Sequence, residues 1–182
     1  MKVICFGDSN TFGYDPRSCI GERYPAESRW VDLLATETGC EVRNNGMNGR
    51  EIPRRETVFQ KSTDLLIIML GTNDLLQGKQ VDEVTARMER FLNFLNMDPT
   101  RILLIAPPPM QRGEWVQEQS LIDASAKLAD KYSELAARMG IHFADAGEWG
   151  VSIAFDGVHF TEQGNKAFAL GLGDYLRNKK IM

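Results

Sequence analysis

The chain has 182 residues and a mass of 20.5 kDa, a length that suits one domain, read here as residues 1–182. Hydrophobic residues make up 43% and charged residues 25%, which excludes intrinsic disorder, collagen and coiled coil as the main state. A net charge of -4, from 21 Lys+Arg against 25 Asp+Glu, excludes nucleic-acid binding by bulk charge.

In chain order, short apolar runs alternate with helical periodicity. Val3–Phe6 reads as a first strand. A helix follows near Pro25, marked by Trp30, Leu33 and Leu34. Glu41–Arg43 reads as a second strand, mainly from its place in the alternation. Leu65–Leu70 is the third. Val81, Val84, Met88, Phe91, Leu92 and Leu95 then form a stripe at helical spacing. Ile102–Ala106 is the fourth strand. Leu121, Ala124, Leu128, Tyr132, Leu135 and Met139 mark one long helix closed by Gly140. Ile141–Ala144 is a weaker fifth strand. Phe168, Leu172, Tyr175 and Leu176 mark the last helix, with Thr161 as its N-cap. Short aliphatic runs closing in Gly, Pro or Asp are the pattern of strands buried on both faces. Their alternation with helices predicts a parallel sheet covered on both sides.

Cys5, Cys19 and Cys40 are too few and too scattered for a disulfide framework. There is no C-x-x-C and there are only two histidines, so no structural zinc is expected. The opening apolar run is too short for a signal-peptide core, and Leu65–Leu70 falls far short of a membrane span. The expectation is a cytoplasmic protein with no nucleic-acid or membrane partner.

Ligands of such sheets bind beyond the carboxyl ends of the strands. Four polar clusters fall there: Gly7-Asp8-Ser9-Asn10, Asn44 to Gly49, Gly71-Thr72-Asn73-Asp74, and Asp156-Gly157-Val158-His159. Together they hold a hydroxyl, an imidazole, a carboxylate and candidate oxyanion donors, the parts that acyl transfer requires. Ser9 is the candidate nucleophile, on a tight turn after a buried strand. His159 is the candidate base, because His142 lies inside the fifth strand, away from the rim. Asp156, three residues earlier across a glycine turn, is placed to orient it. The Asn73 amide and the N–H groups of Ser9 and Gly49 are candidate oxyanion donors.

Each residue also fits a plainer role: Ser9 an N-cap, His159 a loop residue, Asp156 an Asp-Gly turn, Asn73 a turn residue, and Gly46 and Gly49 positions of positive φ. Asp8, Asn10 and Asp74 add oxygen atoms at the rim. Dinuclear phosphoesterases need several histidines there, and only one is available, so neither a metal nor another cofactor is expected. Asp8 and Asp74 are read as braces for the loops.

In this order the blocks resemble the SGNH/GDSL hydrolases. Gly7-Asp8-Ser9, Asn44 to Gly49, Gly71-Thr72-Asn73-Asp74 and Asp156-x-x-His159 match the four family blocks over residues 3 to about 176. Cys5 to Ser9, Ile67 to Asp74, Pro107-Pro108-Pro109 and His159-Phe160-Thr161-Glu162 look most like bacterial arylesterase, acyltransferase and thioesterase-like members. The resemblance implies a flavodoxin-like three-layer α/β/α sandwich with a five-stranded parallel sheet. It also implies cofactor-free hydrolysis of a small-molecule ester or thioester through an acyl-serine, and it suggests a homo-oligomer. By its spacing from Asn44, the oxyanion glycine is Gly49.

Asn10 stands where the family has leucine, which makes one pocket wall more polar. Only the 14 residues 50–63 separate Gly49 from Asp64, so no lid is expected and an open site suits short acyl groups. Pocket walls are expected from Asn10, Thr11, Ile52, Leu75 and the Pro107–Trp115 loop. Met110 and Trp115 in that loop either pack inward or meet another subunit. The absence of Gly-x-Ser-x-Gly disfavours an α/β-hydrolase. Two other readings stay open: an acyltransferase using the same site, and a non-catalytic flavodoxin-like ligand-binding module.

Overall fold

The computed structural model describes residues 1–18 and 20–182; Cys19, one of the three cysteines considered above, lies outside the described residues. Five parallel strands form one sheet: β1 (Lys2–Gly7), β2 (Glu41–Gly46), β3 (Leu65–Met69), β4 (Ile102–Ala106) and β5 (His142–Asp145), in the order β2-β1-β3-β4-β5. The helices are α1 (Ser9–Phe12), α2 (Trp30–Thr38), α3 (Thr72–Leu76), α4 (Val81–Asn93), α5 (Gln119–Ala126), α6 (Leu128–Met139) and α7 (Glu162–Asn178).

Successive strand residues point to opposite faces. Ile4, Phe6, Leu66, Ile68, Ile102 and Leu104 therefore pack under α4 and α6, against Met88, Phe91, Tyr132 and Leu135. Val3, Cys5, Leu65, Ile67, Leu103 and Ile105 pack on the other face under α2 and α7, against Trp30, Leu34, Phe168 and Leu172. The result is a three-layer α/β/α sandwich with the flavodoxin-like strand order. That order reverses at β1, so a crevice opens at the carboxyl ends of β1 and β3.

Three elements differ from the sequence reading. β2 runs on through Asn44 and Asn45 to Gly46, because an edge strand needs no apolar face to keep pairing. The helix expected from Pro25 begins at Trp30: residues Ala26–Ser28 form a 3₁₀ turn, and Arg29 is extended. The Trp30 N–H is then satisfied by Asn165 Oδ1 on α7. The long stripe from Leu121 to Met139 is two helices meeting at Lys127, whose N–H turns to Ala124 O. Among the described residues no helix is long and apolar enough to cross a membrane.

Candidate active site

Ser9 follows β1 directly. Gly7 ends the strand, where a Cβ would collide with the Thr11 side chain and Met69 O. Asp8, not Ser9, is the N-cap: its Oδ1 accepts the Asn10 N–H at 3.0 Å. Ser9 thus opens α1, a single turn closed by Gly13 in the left-handed region (φ 88°).

His159 arrives from beyond β5. The chain passes through a short 3₁₀ turn at Ala146–Trp149 and then folds back, with Ile153 and Phe160 in an antiparallel bridge. At its tip Gly157 takes φ 85°, which a side chain would disfavour. Asp156 Oδ1 accepts the Val158 and His159 N–H groups at 2.9 and 3.0 Å. Its Oδ2 lies 2.6 Å from His159 Nδ1, and His159 Nε2 lies 2.9 Å from Ser9 Oγ. Asp156 is 1% exposed and His159 3%, so the line is shielded from water.

Burial pushes the Asp156 carboxyl upward. The His159 side-chain hydrogen bond and the two backbone N–H groups outweigh it, leaving the pKa below the usual carboxylate range. An ionised carboxylate accepts only, so Nδ1 carries the proton and Nε2 is free to accept from the Ser9 hydroxyl.

The His159 loop is gripped from two sides. Asn10 Nδ2 donates to Val158 O at 3.1 Å, and Asn10 Oδ1 accepts the Phe160 N–H at 2.9 Å. Trp30 Nε1 fixes Asn10 through its carbonyl at 2.9 Å. On the other side, the N–H groups of Gln111, Glu114 and Trp115 donate to the carbonyls of Gly157, Phe155 and Asp156. Gly113 permits this clasp, since a Cβ there would strike the Asp156–Gly157 backbone.

The remaining candidates come from the ends of β2 and β3. Asn44 Nδ2 donates to Thr11 O at 2.8 Å, and Asn44 Oδ1 accepts the Gly46 N–H at 2.9 Å. Gly46 lacks a positive φ; it is glycine because a Cβ would meet the Phe12 backbone. Gly49 does take φ 69°, with nothing within 4 Å of the place a Cβ would occupy. Asn73, near the start of α3, points its Nδ2 at Arg50 O (3.2 Å) and Asp8 Oδ2 (3.5 Å). Ser9, Gly49 and Asn73 thus follow three neighbouring strands.

Arg50 itself donates to Gly7 O and Asn45 O and lies over the Phe6 ring, 4.2 Å from its centroid. Asp8 is 2% exposed. Burial pushes its carboxyl up to about 6, against the opposing pull of the Asn10 N–H, His159 and Arg50.

The four expected pocket walls take other places. Asn10 is spent on the His159 loop. Thr11 is buried beneath Gly7, while Ile52 and Leu75 belong to the core under α4. Asp74 braces: its Oδ2 accepts the Ile52 N–H at 2.9 Å, and Oδ1 pairs with Arg87 at 2.7 Å. Of the loop residues, Met110 packs inward and Trp115 is exposed. His142 sits at the amino end of β5, its Nε2 3.1 Å from Thr100 O.

Two rings flank His159: Trp115, from the loop expected to wall the pocket, and Tyr14, which sequence reasoning did not place at the site. Tyr14 lies 4.5 Å away, tilted by 52°, and Trp115 lies 5.1 Å away, edge-on at 83°. Neither has a periodic or motif signal; loop packing brings them there. Among the described residues no group of three His, Cys, Asp or Glu side chains is placed to hold a metal.

The sequence matches the family of GDSL-like lipases and acylhydrolases over residues 5–167. Solved structures with the same fold include a protein from Agrobacterium tumefaciens assigned as an arylesterase, 30% identical, covering 97% of this chain and 98% of that one, with a TM-score of 0.83. The aryl esterase of M. smegmatis is 26% identical, with 97% and 98% covered and a TM-score of 0.84. A carbohydrate acetylesterase family member from Sinorhizobium meliloti is 25% identical, with 97% of each chain covered and a TM-score of 0.82. A comparison with curated proteins finds no match.

Proposed function

The chain belongs to the GDSL-like lipase/acylhydrolase family and is a carboxylic ester hydrolase, and from that premise we propose that it cleaves small esters through an acyl-serine formed on Ser9 within one domain, residues 1–182. Ser9 Oγ attacks the ester carbonyl as its proton passes to His159 Nε2. Asp156 holds the imidazole in the receptive tautomer and stabilises the imidazolium that forms. The negative charge on the carbonyl oxygen is met by the Ser9 and Gly49 N–H groups and the Asn73 amide. His159 then returns the proton to the leaving alcohol, and a water repeats the sequence to free the acid.

The observation that carries this reading is the unbroken line Ser9 Oγ, His159 Nε2, His159 Nδ1, Asp156 Oδ2, at 2.9 and 2.6 Å, buried at a topological switch point. The likeness to aryl esterases and a carbohydrate acetylesterase supports short acyl groups, acetyl first, as does the short segment after Gly49. The test is Ser9→Ala on p-nitrophenyl acetate. Turnover falls to background while the melting temperature holds; wild-type turnover in the variant would refute the scheme.

A further inference from the structure

The geometry points to a second ligand site, apart from the esterase centre: a cleft along α4 that takes an organic phosphate carrying a flat ring, of the nucleoside monophosphate type. The cleft has a volume of about 420 Å³ and is lined by Pro53, Arg54, Glu83, Arg87, Arg90 and Phe94. Small-molecule sites span about 300–1,000 Å³. Neither Ser9 nor His159 lines it.

Glu83, Arg87, Arg90 and Phe94 recur at helical spacing and run along one face of α4 to its C-cap. Arg54 reaches the same cleft from the segment that follows Gly49. Three guanidinium groups thus meet on a chain whose net charge is -4, so the basic patch does not follow from bulk charge. Arginine presents a planar fork of donors that matches the oxygens of a phosphate.

Arg87 is the fixed part. It is 6% exposed; its Nη1 is shared by Glu51 and Asp74, and its Nη2 donates to Ile52 O. A guanidinium has five N–H donors. Among the described residues the Arg87 Nε has no partner, and it is not sealed from solvent, so an anion in the cleft can take it. Arg54 and Arg90 are exposed and form no ion pair among the described residues. The last turn of α4 accounts for Arg90, which complements the helix dipole, but not for Arg54 on a separate segment.

Phe94 supplies the flat wall. It is 49% exposed and lies one helical turn beyond Arg90, so a ring stacked on it places an attached phosphate near the arginines. Glu83 is the one carboxylate among the lining residues. Two turns from Arg90, it repels the phosphate toward the Arg90 end and can accept sugar hydroxyls.

Isothermal titration calorimetry at low salt, with adenosine monophosphate and ribose 5-phosphate as probes, tests the site. The nucleotide should bind with one-to-one stoichiometry, and the sugar phosphate more weakly. Arg54→Ala and Arg90→Ala should each weaken both probes by about tenfold or more. Phe94→Ala should weaken the nucleotide alone, by about three- to tenfold. Arg43→Ala removes the same charge from exposed β2, outside the cleft, and should change either affinity by less than about twofold. These four side chains are all exposed, so the melting temperatures should stay near that of the wild type.

No saturable binding, an equal loss in Arg43→Ala, or an equal loss of both probes in Phe94→Ala would overturn the site. Ser9→Ala should bind the nucleotide as the wild type does. A loss of affinity there would put the nucleotide in the esterase centre and overturn the inference, whereas esterase activity retained by Ser9→Ala would count against the serine scheme alone.

Discussion

Asn10 brackets His159: its amide donates to Val158 O and accepts the Phe160 N–H, so the residue beside Ser9 grips the chain on both sides of the imidazole. The distance from nucleophile to base is therefore set by two hydrogen bonds that neither residue makes itself. A leucine in place of Asn10 makes neither bond.

Asn10→Ala should strand a buried donor and a buried acceptor. The cost is about 2–4 kcal/mol, or about 5–15 °C in Tm for a chain of this length. Turnover should fall more than KM rises, since the loss is in alignment. Thermal melts with steady-state kinetics measure both; an unchanged Tm with normal kcat would show that the bracket is idle.

Asp156→Asn should cut kcat by about 10³–10⁴, because an amide neither fixes the receptive tautomer nor stabilises the imidazolium. Its effect on stability has a sign. The folded-state pKa of Asp156 lies below 3.8, so its contribution is complete above that pH and is lost as pH falls through the lower folded value. Acid denaturation monitored by circular dichroism should show wild type losing this contribution and the variant lacking it throughout.

Asp8 has the opposite sign. Its carboxyl is raised from 3.8 to about 6, so its contribution is present below about pH 4 and is lost as pH rises through about 6. Asn at position 8 keeps the N-cap acceptor and carries no charge. Asp8→Asn should therefore exceed wild type in stability by up to about 3 kcal/mol at pH 8, with the gap closing toward pH 4. Urea titrations at pH 4, 6 and 8 decide it; a gap independent of pH would contradict the burial cost.

Gly46 and Gly49 are glycine for different reasons, and their alanine variants should differ. At Gly46 a Cβ meets the Phe12 backbone, which cannot yield, so Gly46→Ala should unfold the α1 turn or lower Tm sharply. At Gly49 the space is open and only φ 69° is strained, at about 1–2 kcal/mol. Gly49→Ala should fold and lose activity through a displaced N–H. Equal Tm losses would argue against the distinction.

What the sequence revealed follows from locality. β1, β3 and β4 were legible because a strand buried on both faces is a continuous aliphatic run. The end of β2 was not, since Asn44 and Asn45 read as loop and are held by pairing with β1. The break at Lys127 was hidden because the apolar spacing continues across it. The neighbouring turn is tied by Ser125 Oγ, which accepts the Met110 N–H and donates to Ile122 O, a long-range tie.

At the site, Ser9, Asp156 and His159 could be nominated from scarce residue types at strand ends. Their spacing is set by Asn10 and by the Gly113–Gly157 contact, which carry no local pattern. Ile52 and Leu75 were misjudged because position at the rim does not say which way a side chain turns; both point into the core.

Labelling with a fluorophosphonate, followed by peptide mass spectrometry, tests the acyl-serine most directly. One equivalent should attach to Ser9 in step with loss of esterase activity, and Ser9→Ala should remain unlabelled. Inactivation with the label on another residue, or full labelling with activity retained, would contradict Ser9 as the nucleophile.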